Sequence, residues 1–434
     1  MLRLAVPLAL AELGWMAMGL EDTIMAGRLG AVALGAGSLG SMLFYPIAIC
    51  GTGLLLGMDT LVAQAHGAED ALDCRRTLVN GLWLSLALAP VLALAILLLI
   101  PLLRATGTNA AVMAQFAPFL KALAWSLPPL LFYAAFRRYL QAIDVVKPVT
   151  FALVSANLVN VLGNWVLMYG HWGAPRMGLE GSGWSTTIAR CYMAAVLLAA
   201  ILWHERRSGN LLMAVSWLPA FDRIRRLVAL GMPAALQILF EGAVFGLVSV
   251  FAAHLDEASL AAHSIAINVV STTYMVPLGI SSAAAVRVGQ AVGAGDMRAA
   301  AARGWTALLL GAAFMGCAGV TLGAAPRWIV RIYTGDRVVV AAGALLLRIA
   351  ALFQLFDGLQ VVATGALRGL ADTRTPMLAH LAGYWAVGLP VAYLSCFRFG
   401  WGAAGIWAGL SSALILIGTS LVIAWRWRTR KIGA

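Results

Sequence analysis

Long apolar stretches, separated by short polar segments, dominate the chain. We recognise twelve such runs; residues 82–103 are a continuous example, and residues 112–140 form the fourth run. A membrane-spanning helix needs roughly 20 mostly apolar residues, whereas a membrane strand is about 10 residues long and alternates apolar and polar positions. The runs match the first pattern, and a helix satisfies its own backbone in lipid. The pattern therefore predicts an all-α integral membrane protein with twelve transmembrane helices.

The longest polar stretch, residues 204–226, lies near the middle of the chain and divides the runs into two sets of six. We predict an N-lobe over residues 1–207 with helices 1–6, a cytoplasmic linker over 208–221, and a C-lobe over 222–434 with helices 7–12. The first run contains Glu12, Glu21 and Asp22, which the apolar region of a cleaved signal peptide would not tolerate. We therefore interpret it as a retained first span.

The two halves of the chain repeat each other at a nearly constant offset. Since each half holds six spans, an even number, the repeats share one orientation. A pseudo-twofold axis along the membrane normal then relates the lobes, a layout common among secondary transporters. The matching pairs are Gln64 with Gln290, Asp70 with Asp296 and Pro7 with Pro233 at an offset of 226, Asp144 with Asp372 at 228, and Gly178 with Gly402 at 224.

Composition agrees with a membrane protein. Hydrophobic residues make up 62% of the chain and charged residues 11%, whereas an ordinary soluble domain carries about 25% charged residues. This excludes a soluble globular protein, and the high hydrophobicity excludes a disordered one. Five cysteines in 434 residues exclude a disulfide scaffold.

The net charge of +12 follows from membrane topology. With a cytoplasmic N-terminus, the inside segments carry 20 of the 30 Lys and Arg residues, the outside segments 7, and the remaining 3 lie within or at the ends of spans. This bias predicts that both termini lie in the cytoplasm. It also accounts for the basic balance, so we expect no nucleic-acid partner.

Acidic side chains within the apolar runs are the first candidate functional residues, because a charge in the bilayer centre costs several kcal/mol. Glu241 in span 7, Asp357 in span 10 and Asp22 in span 1 favour transport chemistry over structural pairing. Phe245 follows Glu241 by four residues and Phe353 precedes Asp357 by four. A carboxylate with an aromatic ring one turn away suits a lipophilic cation, although a single ring more often only packs.

For Glu12 in span 1 and Asp59 in span 2, the sequence favours neither a role in transport nor a structural ion pair. No Lys or Arg lies close to the intramembrane acids in sequence. An ion pair would have to form through the fold, and Arg190 or Arg348 could supply the cation.

Span 5 carries Asn157, Asn160 and Asn164, whose spacings of three and four place them on one helix face. They could hydrogen bond between helices, as Asn commonly does in membranes. They could also line a cation or proton site together with Asp22. Spacing alone leaves both interpretations open.

Enzyme signatures are missing from the sequence. There is no Walker A sequence for ATP-driven pumping and no His-Glu-x-x-His metal motif. We therefore expect a protein that is not an enzyme and that needs no cofactor.

With these motifs in this order, the chain resembles the multidrug and toxic compound extrusion (MATE) transporters, in their NorM-type bacterial branch. The resemblance covers nearly the whole chain. The stretches that carry it are EDTIMAG at 21–27, VAQAHGA at 62–68, NVLGNW at 160–165, GLEGSG at 178–183, FE at 240–241, VRVGQ at 286–290, FQLFD at 353–357 and LRGLAD at 367–372.

The resemblance implies two lobes facing each other in a V around a central cavity, with an ion or proton site in the N-lobe and an ion or substrate site in the C-lobe. Phe353 stands where the family can have a tyrosine, so a hydroxyl is missing there. Asn164 stands where some relatives have a second aspartate. The positions that match the family's sites are Asp22, Asn160, Asn164 and Thr186 in the N-lobe and Glu241 and Asp357 in the C-lobe.

The resemblance further implies antiport driven by Na⁺ or H⁺ without ATP. Carboxylate, amide and hydroxyl oxygens suit a hard cation, so Na⁺ could bind at Asp22, Asn160, Asn164, Glu241 and Asp357. Burial disfavours a charged carboxylate, so the acids could equally carry protons. We expect export of lipophilic organic cations, namely dyes and antibiotics, with Phe245 and Phe353 as substrate-cavity candidates. We also expect a monomer in a bacterial inner membrane, in contact with membrane lipids. The alternative is a flippase of the same superfamily for a lipid or a lipid-linked oligosaccharide, which would need basic residues in its cavity to hold pyrophosphate.

Overall fold

The computed structural model describes residues 1–207 and 214–433, and the side chains of these up to residue 430. Residues 208–213 of the predicted linker lie outside the described residues. Residues 214–220 of that linker lead into the helix that begins at Phe221, and within them only Ala214 has 3₁₀ geometry.

Throughout the described ranges every regular element is a helix. In chain order the helices are α1 (Leu2–Gly27), α2 (Ala31–Leu54), α3 (Gly57–Gly67), α4 (Ala71–Ala105), α5 (Ala110–Trp125), α6 (Leu127–Ala142), α7 (Lys147–Leu167), α8 (Leu179–Arg207), α9 (Phe221–Ala253), α10 (Glu257–Gly293), α11 (Met297–Ala324), α12 (Pro326–Arg331), α13 (Arg337–Gly369), α14 (Arg374–Arg398) and α15 (Gly402–Gly433).

Taking α2 and α3 together, 11 helices among the described residues are long and apolar enough to cross a membrane, and the bent pair α5 and α6 brings the number to 12. The predicted all-α membrane fold is thus confirmed. Helix α14 is irregular, because two of its stretches, Leu381–Gly388 and Leu394–Arg398, are π-helical.

The apolar run at 112–140, which we expected to form one span, contains a break. Helix α5 ends at Trp125, α6 begins at Leu127, and the two are bent by 40°. Pro128 and Pro129 follow the break. Because proline has no N–H to donate to the preceding turn, the helix cannot continue through them without distortion. The residue between the helices, Ser126, donates its hydroxyl to the carbonyl oxygen of Leu123 at 2.5 Å.

The chain forms two compact units. One is Leu10–Ala235, and the other combines Met1–Ala9 with Leu236–Ala434. The boundaries after Ala9 and after Ala235 are 226 residues apart, the offset of the sequence repeat. The start of α1 therefore belongs to the unit formed by the second half of the chain, and the start of α9 to the unit formed by the first half.

Two glycines permit this exchange of helix starts. A Cβ at Gly53 of α2 would lie 2.7 Å from the Cβ of Ala235, and a Cβ at Gly279 of α10 would lie 2.5 Å from the backbone nitrogen of Ala9. Gly53 and Gly279, like Ala9 and Ala235, are related by the repeat offset. The same close packing against a glycine therefore occurs once in each unit.

The repeat also fixes local backbone conformation. Glu69 and Gly295 both adopt a left-handed conformation, with φ of 59° and 73°. Asp70 and Asp296 follow them and cap the next helix, each accepting a hydrogen bond of 2.8 Å from the backbone N–H three residues on.

One pair of repeat positions predicted from the sequence, Asp144 with Asp372, is shifted by one residue in the structure. The left-handed residue is Asp144 in the first half, with φ of 65°, but Ala371 in the second, with φ of 64°. The structural offset here is therefore 227, and Asp372 is not the counterpart of Asp144. Asp372 instead pairs with Arg428 of α15 at 2.7 Å.

Candidate functional site

The unit Leu10–Ala235 brings together the four N-lobe residues selected from the sequence. The side-chain amides of Asn160 and Asn164 each donate to Oδ1 of Asp22 at 2.7 Å. The hydroxyl of Thr186 lies 3.4 Å from Oδ2 of Asp22. One carboxylate is thus held by amide groups one helix turn apart on α7 and by a hydroxyl on α8.

Close packing of α7 and α8 positions the amides. Asn160 and Asn164 are fully buried. Ser185 of α8 donates its hydroxyl to the carbonyl oxygen of Asn160 at 2.7 Å, and Gly163 lets the two helices approach because a Cβ there would collide with Ser185. Asn157 does not join the cluster, since its amide donates to the carbonyl oxygen of Leu153 in its own helix at 2.8 Å.

A cavity of about 120 Å³ borders Asp22, and Ser41, Tyr45 and Ser182 are among the residues that line it. Beside it, Oδ1 of Asn164 is buried without a hydrogen-bond partner among the described residues. Carboxylate, amide and hydroxyl oxygens close to one small cavity fit a hard cation or a proton.

A second cluster lies in the unit that contains Leu236–Ala434. Asp357 of α13 is 4% exposed, and its Oδ1 accepts a hydrogen bond of 3.2 Å from the amide of Gln360. Glu241 of α9 accepts one of 3.4 Å from the hydroxyl of Tyr384. Tyr384 belongs to a π-helical stretch of α14, an irregularity that is frequent at functional sites.

His380 of α14 joins the two carboxylates. Its Nε2 lies 2.6 Å from Oε1 of Gln360 and 3.9 Å from Oε2 of Glu241, while its Nδ1 lies 2.8 Å from the carbonyl oxygen of Pro376. Gln237 of α9 approaches the same ring at 3.3 Å. Contacts through His380 and Gln360 therefore connect Glu241 with Asp357.

Our sequence analysis did not find Gln360, His380 or Tyr384. Gln360 follows Asp357 by three residues, which would place it on the same helix face, so spacing could have identified it. His380 and Tyr384 lie on a helix with no acidic residue of its own, so no helical spacing in the sequence relates them to a carboxylate.

The two aromatic candidates have different surroundings. Phe245 meets the ring of Tyr384 edge-on, with ring centres 6.1 Å apart. Phe353 is 2% exposed and stacks on Trp407 at 6.0 Å. The hydroxyl that Phe353 lacks is present in the cluster on Tyr384, from another helix.

Glu12 and Asp59 form ion pairs, which the sequence left open. Glu12 pairs with Arg137, and Asp59 pairs with Arg138 at 3.1 Å. Arg190 and Arg348, which the sequence offered as possible partners, do not supply these two cations. The partners are 125 and 79 residues away in sequence, and both arginines reach the acids from α6.

Comparison with known proteins identifies the family. The MatE family model matches residues 7–166 and again residues 233–394, and the two matches begin one repeat offset apart. "Probable multidrug resistance protein NorM" of Mesorhizobium japonicum is 36% identical over 436 residues, covering 99% of this chain and 93% of that protein. "Multidrug resistance protein NorM" of Burkholderia vietnamiensis is 37% identical and covers the same shares.

Solved structures agree on the fold. The eukaryotic MATE transporter AtDTX14 has a TM-score of 0.87 at 20% identity, covering 99% of this chain and 97% of that chain. A MATE structure in the bent conformation has a TM-score of 0.90 at 16% identity, covering 100% of this chain and 95% of that chain. From the matches in both halves and the full-length relatives, the chain belongs to the MatE family of membrane transporters.

Proposed function

We propose that this chain is a multidrug efflux antiporter that exports lipophilic organic cations, such as dyes and antibiotics, in exchange for Na⁺ or H⁺. The relatives named multidrug resistance protein NorM support the multidrug class. We infer selectivity for cations from one observation. Contacts between spanning helices connect two carboxylates, Glu241 and Asp357, in one cluster.

In this proposal, the ion and the drug compete for the negative charge of these two carboxylates. Among the described residues neither carboxylate pairs with a Lys or Arg, and such a carboxylate within the membrane needs a bound cation or a proton. An organic cation satisfies the same charge, and the ring of Phe245 next to Tyr384 adds an aromatic surface. Antiport then requires only that ion and drug favour different conformations, since each shifts the equilibrium by its differential affinity.

The cluster at Asp22 serves as the ion or proton site of the N-lobe in this proposal. Its support is the arrangement of Asn160, Asn164 and Thr186 around one carboxylate beside a small cavity. We place the protein as a multi-pass monomer in the bacterial inner membrane, with both termini and the linker between the lobes in the cytoplasm.

A flippase of the same superfamily for a lipid or a lipid-linked oligosaccharide is the second candidate, and one observation favours it. Arg137, Arg138 and Arg190 line a cavity in the unit Leu10–Ala235. Glu12 and Asp59 neutralise the first two of these arginines. The remaining excess of one positive charge is small for a pyrophosphate group, so the antiporter remains the better-supported function.

Ethidium transport by purified protein in liposomes tests the proposal. We expect ethidium to leave loaded vesicles faster when an inward Na⁺ gradient or an inward proton gradient is imposed than without one. The double variant Glu241→Gln with Asp357→Asn serves as the inactive control. Ethidium flux that no gradient accelerates, or that the double variant retains, would contradict coupled antiport.

A further inference from the structure

A second cavity of about 210 Å³ lies in the unit Leu10–Ala235. It opens among α1, α2, α6 and α8 and borders the Asp22 cavity at Tyr45, which lines both. Its walls combine arginines with aromatic rings, and the residues used below are Trp15, Phe44, Tyr133, Arg137, Arg138 and Arg190.

The charges around this cavity do not balance. Arg137 and Arg138 have carboxylate partners, as described above. Among the described residues, no carboxylate oxygen lies within 4.0 Å of Arg190, which is 3% exposed. Arg190 donates to the hydroxyl of Ser126 and interacts electrostatically with Asp22 beyond the contact distance. A buried cation of this kind is costly unless an anion pairs with it.

Three polar atoms of residues that line the cavity also lack hydrogen-bond partners among the described residues. They are Nε of Arg190, Nε of Arg137 and the hydroxyl of Tyr133, and all three are buried. Two are N–H donors, and the third is a hydroxyl that can donate. A carboxylate, with two oxygens that accept several hydrogen bonds, is complementary to such a set.

Aromatic rings provide the other half of the site. The guanidinium of Arg190 lies 4.9 Å from the ring centre of Phe44 and 5.9 Å from that of Trp15. Trp15 in turn stacks on Tyr133, with ring centres 6.4 Å apart. A ligand that reached Arg190 would meet flat aromatic surfaces, which favours a flat aromatic body.

We propose that this cavity binds a small aromatic carboxylate, with its carboxylate on the guanidinium of Arg190 and its ring against Phe44 and Trp15. Drug-sized ligands occupy pockets of about 300–1,000 Å³, so the smaller volume here selects a single-ring compound. The proposal goes beyond cation antiport, because it adds an anion site to the N-lobe. A bound carboxylate would replace the missing counter-charge of Arg190.

Isothermal titration calorimetry with the full chain in lipid nanodiscs tests this site. The probe is benzoate; benzamide keeps the ring without the charge, and acetate keeps the charge without the ring. We expect saturable 1:1 binding of benzoate, at least tenfold tighter than of either comparison compound. Arg190→Gln should weaken benzoate binding at least tenfold. Arg348→Gln, which removes an arginine from a spanning helix of the other unit, should leave it unchanged.

A second variant keeps the test decisive if Arg190→Gln does not fold. Trp15→Leu retains the charge and removes a ring, and it should weaken benzoate binding while acetate binding stays as in the wild type. If the wild type shows no saturable benzoate binding, the proposed site is overturned. It is also overturned if the wild type binds benzoate no more tightly than benzamide, or no more tightly than acetate. Wild-type affinity in the folded variants also overturns it. The titration uses no ion gradient, so its failure is distinct from a failure of antiport.

Discussion

At the scale of single residues, Glu241 and Asp357 depend on one shared set of contacts. Gln360 bonds to Asp357 and contacts His380, which lies 3.9 Å from Glu241. Glu241→Gln and Asp357→Asn keep the shapes and remove the charges. We expect each variant to insert normally and to lose most ethidium efflux from loaded cells.

The double variant should lose little more than either single variant, because removing one carboxylate already disables the shared site. Glu257→Gln, an exposed glutamate at the start of α10, is the matched control and should transport normally. Efflux at the wild-type rate in both single variants would remove this site from the mechanism. Losses that simply add would indicate two independent groups.

His380 should act as a positioning residue for Gln360. His380→Phe keeps a ring but removes both nitrogens, so the amide of Gln360 loses the contact that orients it toward Asp357. We expect KM for ethidium to rise several-fold, and His380→Gln, which retains polar atoms, to restore part of the affinity. His263→Gln changes another buried histidine of the same unit, bonded to Ser249 and Trp407, and should leave KM unchanged. Equal KM in His380→Phe and wild type would contradict this role.

Asp22 is the acceptor for both amides of the N-lobe cluster. Asp22→Asn keeps the size of the side chain but removes the charge that would bind an ion or proton. We predict that coupled efflux is abolished or strongly reduced while membrane expression persists. Efflux assays across a range of pH and Na⁺ concentration provide the measurement, with the neighbouring Glu21→Gln as control. Normal transport by Asp22→Asn under all conditions would mean that the site does not exist as described.

At the scale of helices, close approach at glycines decides which elements pack together. A Cβ at Gly279 would lie 2.5 Å from the backbone nitrogen of Ala9, and backbone cannot rotate away as a side chain can. We expect Gly279→Ala to destabilise its unit by about 1–3 kcal/mol, the usual cost of overpacking. The measurement is a lower apparent Tm of the purified protein, followed by tryptophan fluorescence.

Gly246→Ala in α9 is the control for this change, because nothing lies within 4 Å of the position that its Cβ would take. Replacing glycine by alanine in an unobstructed helix should be neutral or slightly stabilising. An unchanged Tm in Gly279→Ala would indicate that the start of α1 is not packed on α10 in the membrane.

At the scale of the whole molecule, the distribution of Lys and Arg predicts both termini and the linker in the cytoplasm. Replacing the five cysteines allows single probe cysteines to be placed at exposed positions. Leu218→Cys in the linker should resist a membrane-impermeant thiol reagent in intact cells, and Glu257→Cys between spans 7 and 8 should react. Both should react after the cells are permeabilised. The reverse pattern in intact cells would overturn the orientation.

The sequence by itself determined the membrane class, the helical fold and the repeat, whereas for Asp22 and the asparagines of α7 it left a shared site and plain interhelical hydrogen bonding both open. Apolar run length, residue periodicity and the cost of intramembrane charge are properties of a local segment, so they can be read without knowing what surrounds it. Even the left-handed turns at Glu69 and Gly295 recur at the repeat offset.

Only the tertiary structure decided which side chains meet across helices. It paired Glu12 with Arg137 over 125 residues and brought Tyr384 to Glu241 over 143. It also assigned the start of α1 to the opposite unit and left Arg190 without a carboxylate in contact among the described residues. These outcomes depend on how helix faces pack, and the same apolar periodicity is compatible with many packings. Chemistry that one helix carries can therefore be predicted from sequence, whereas chemistry shared between helices requires the fold.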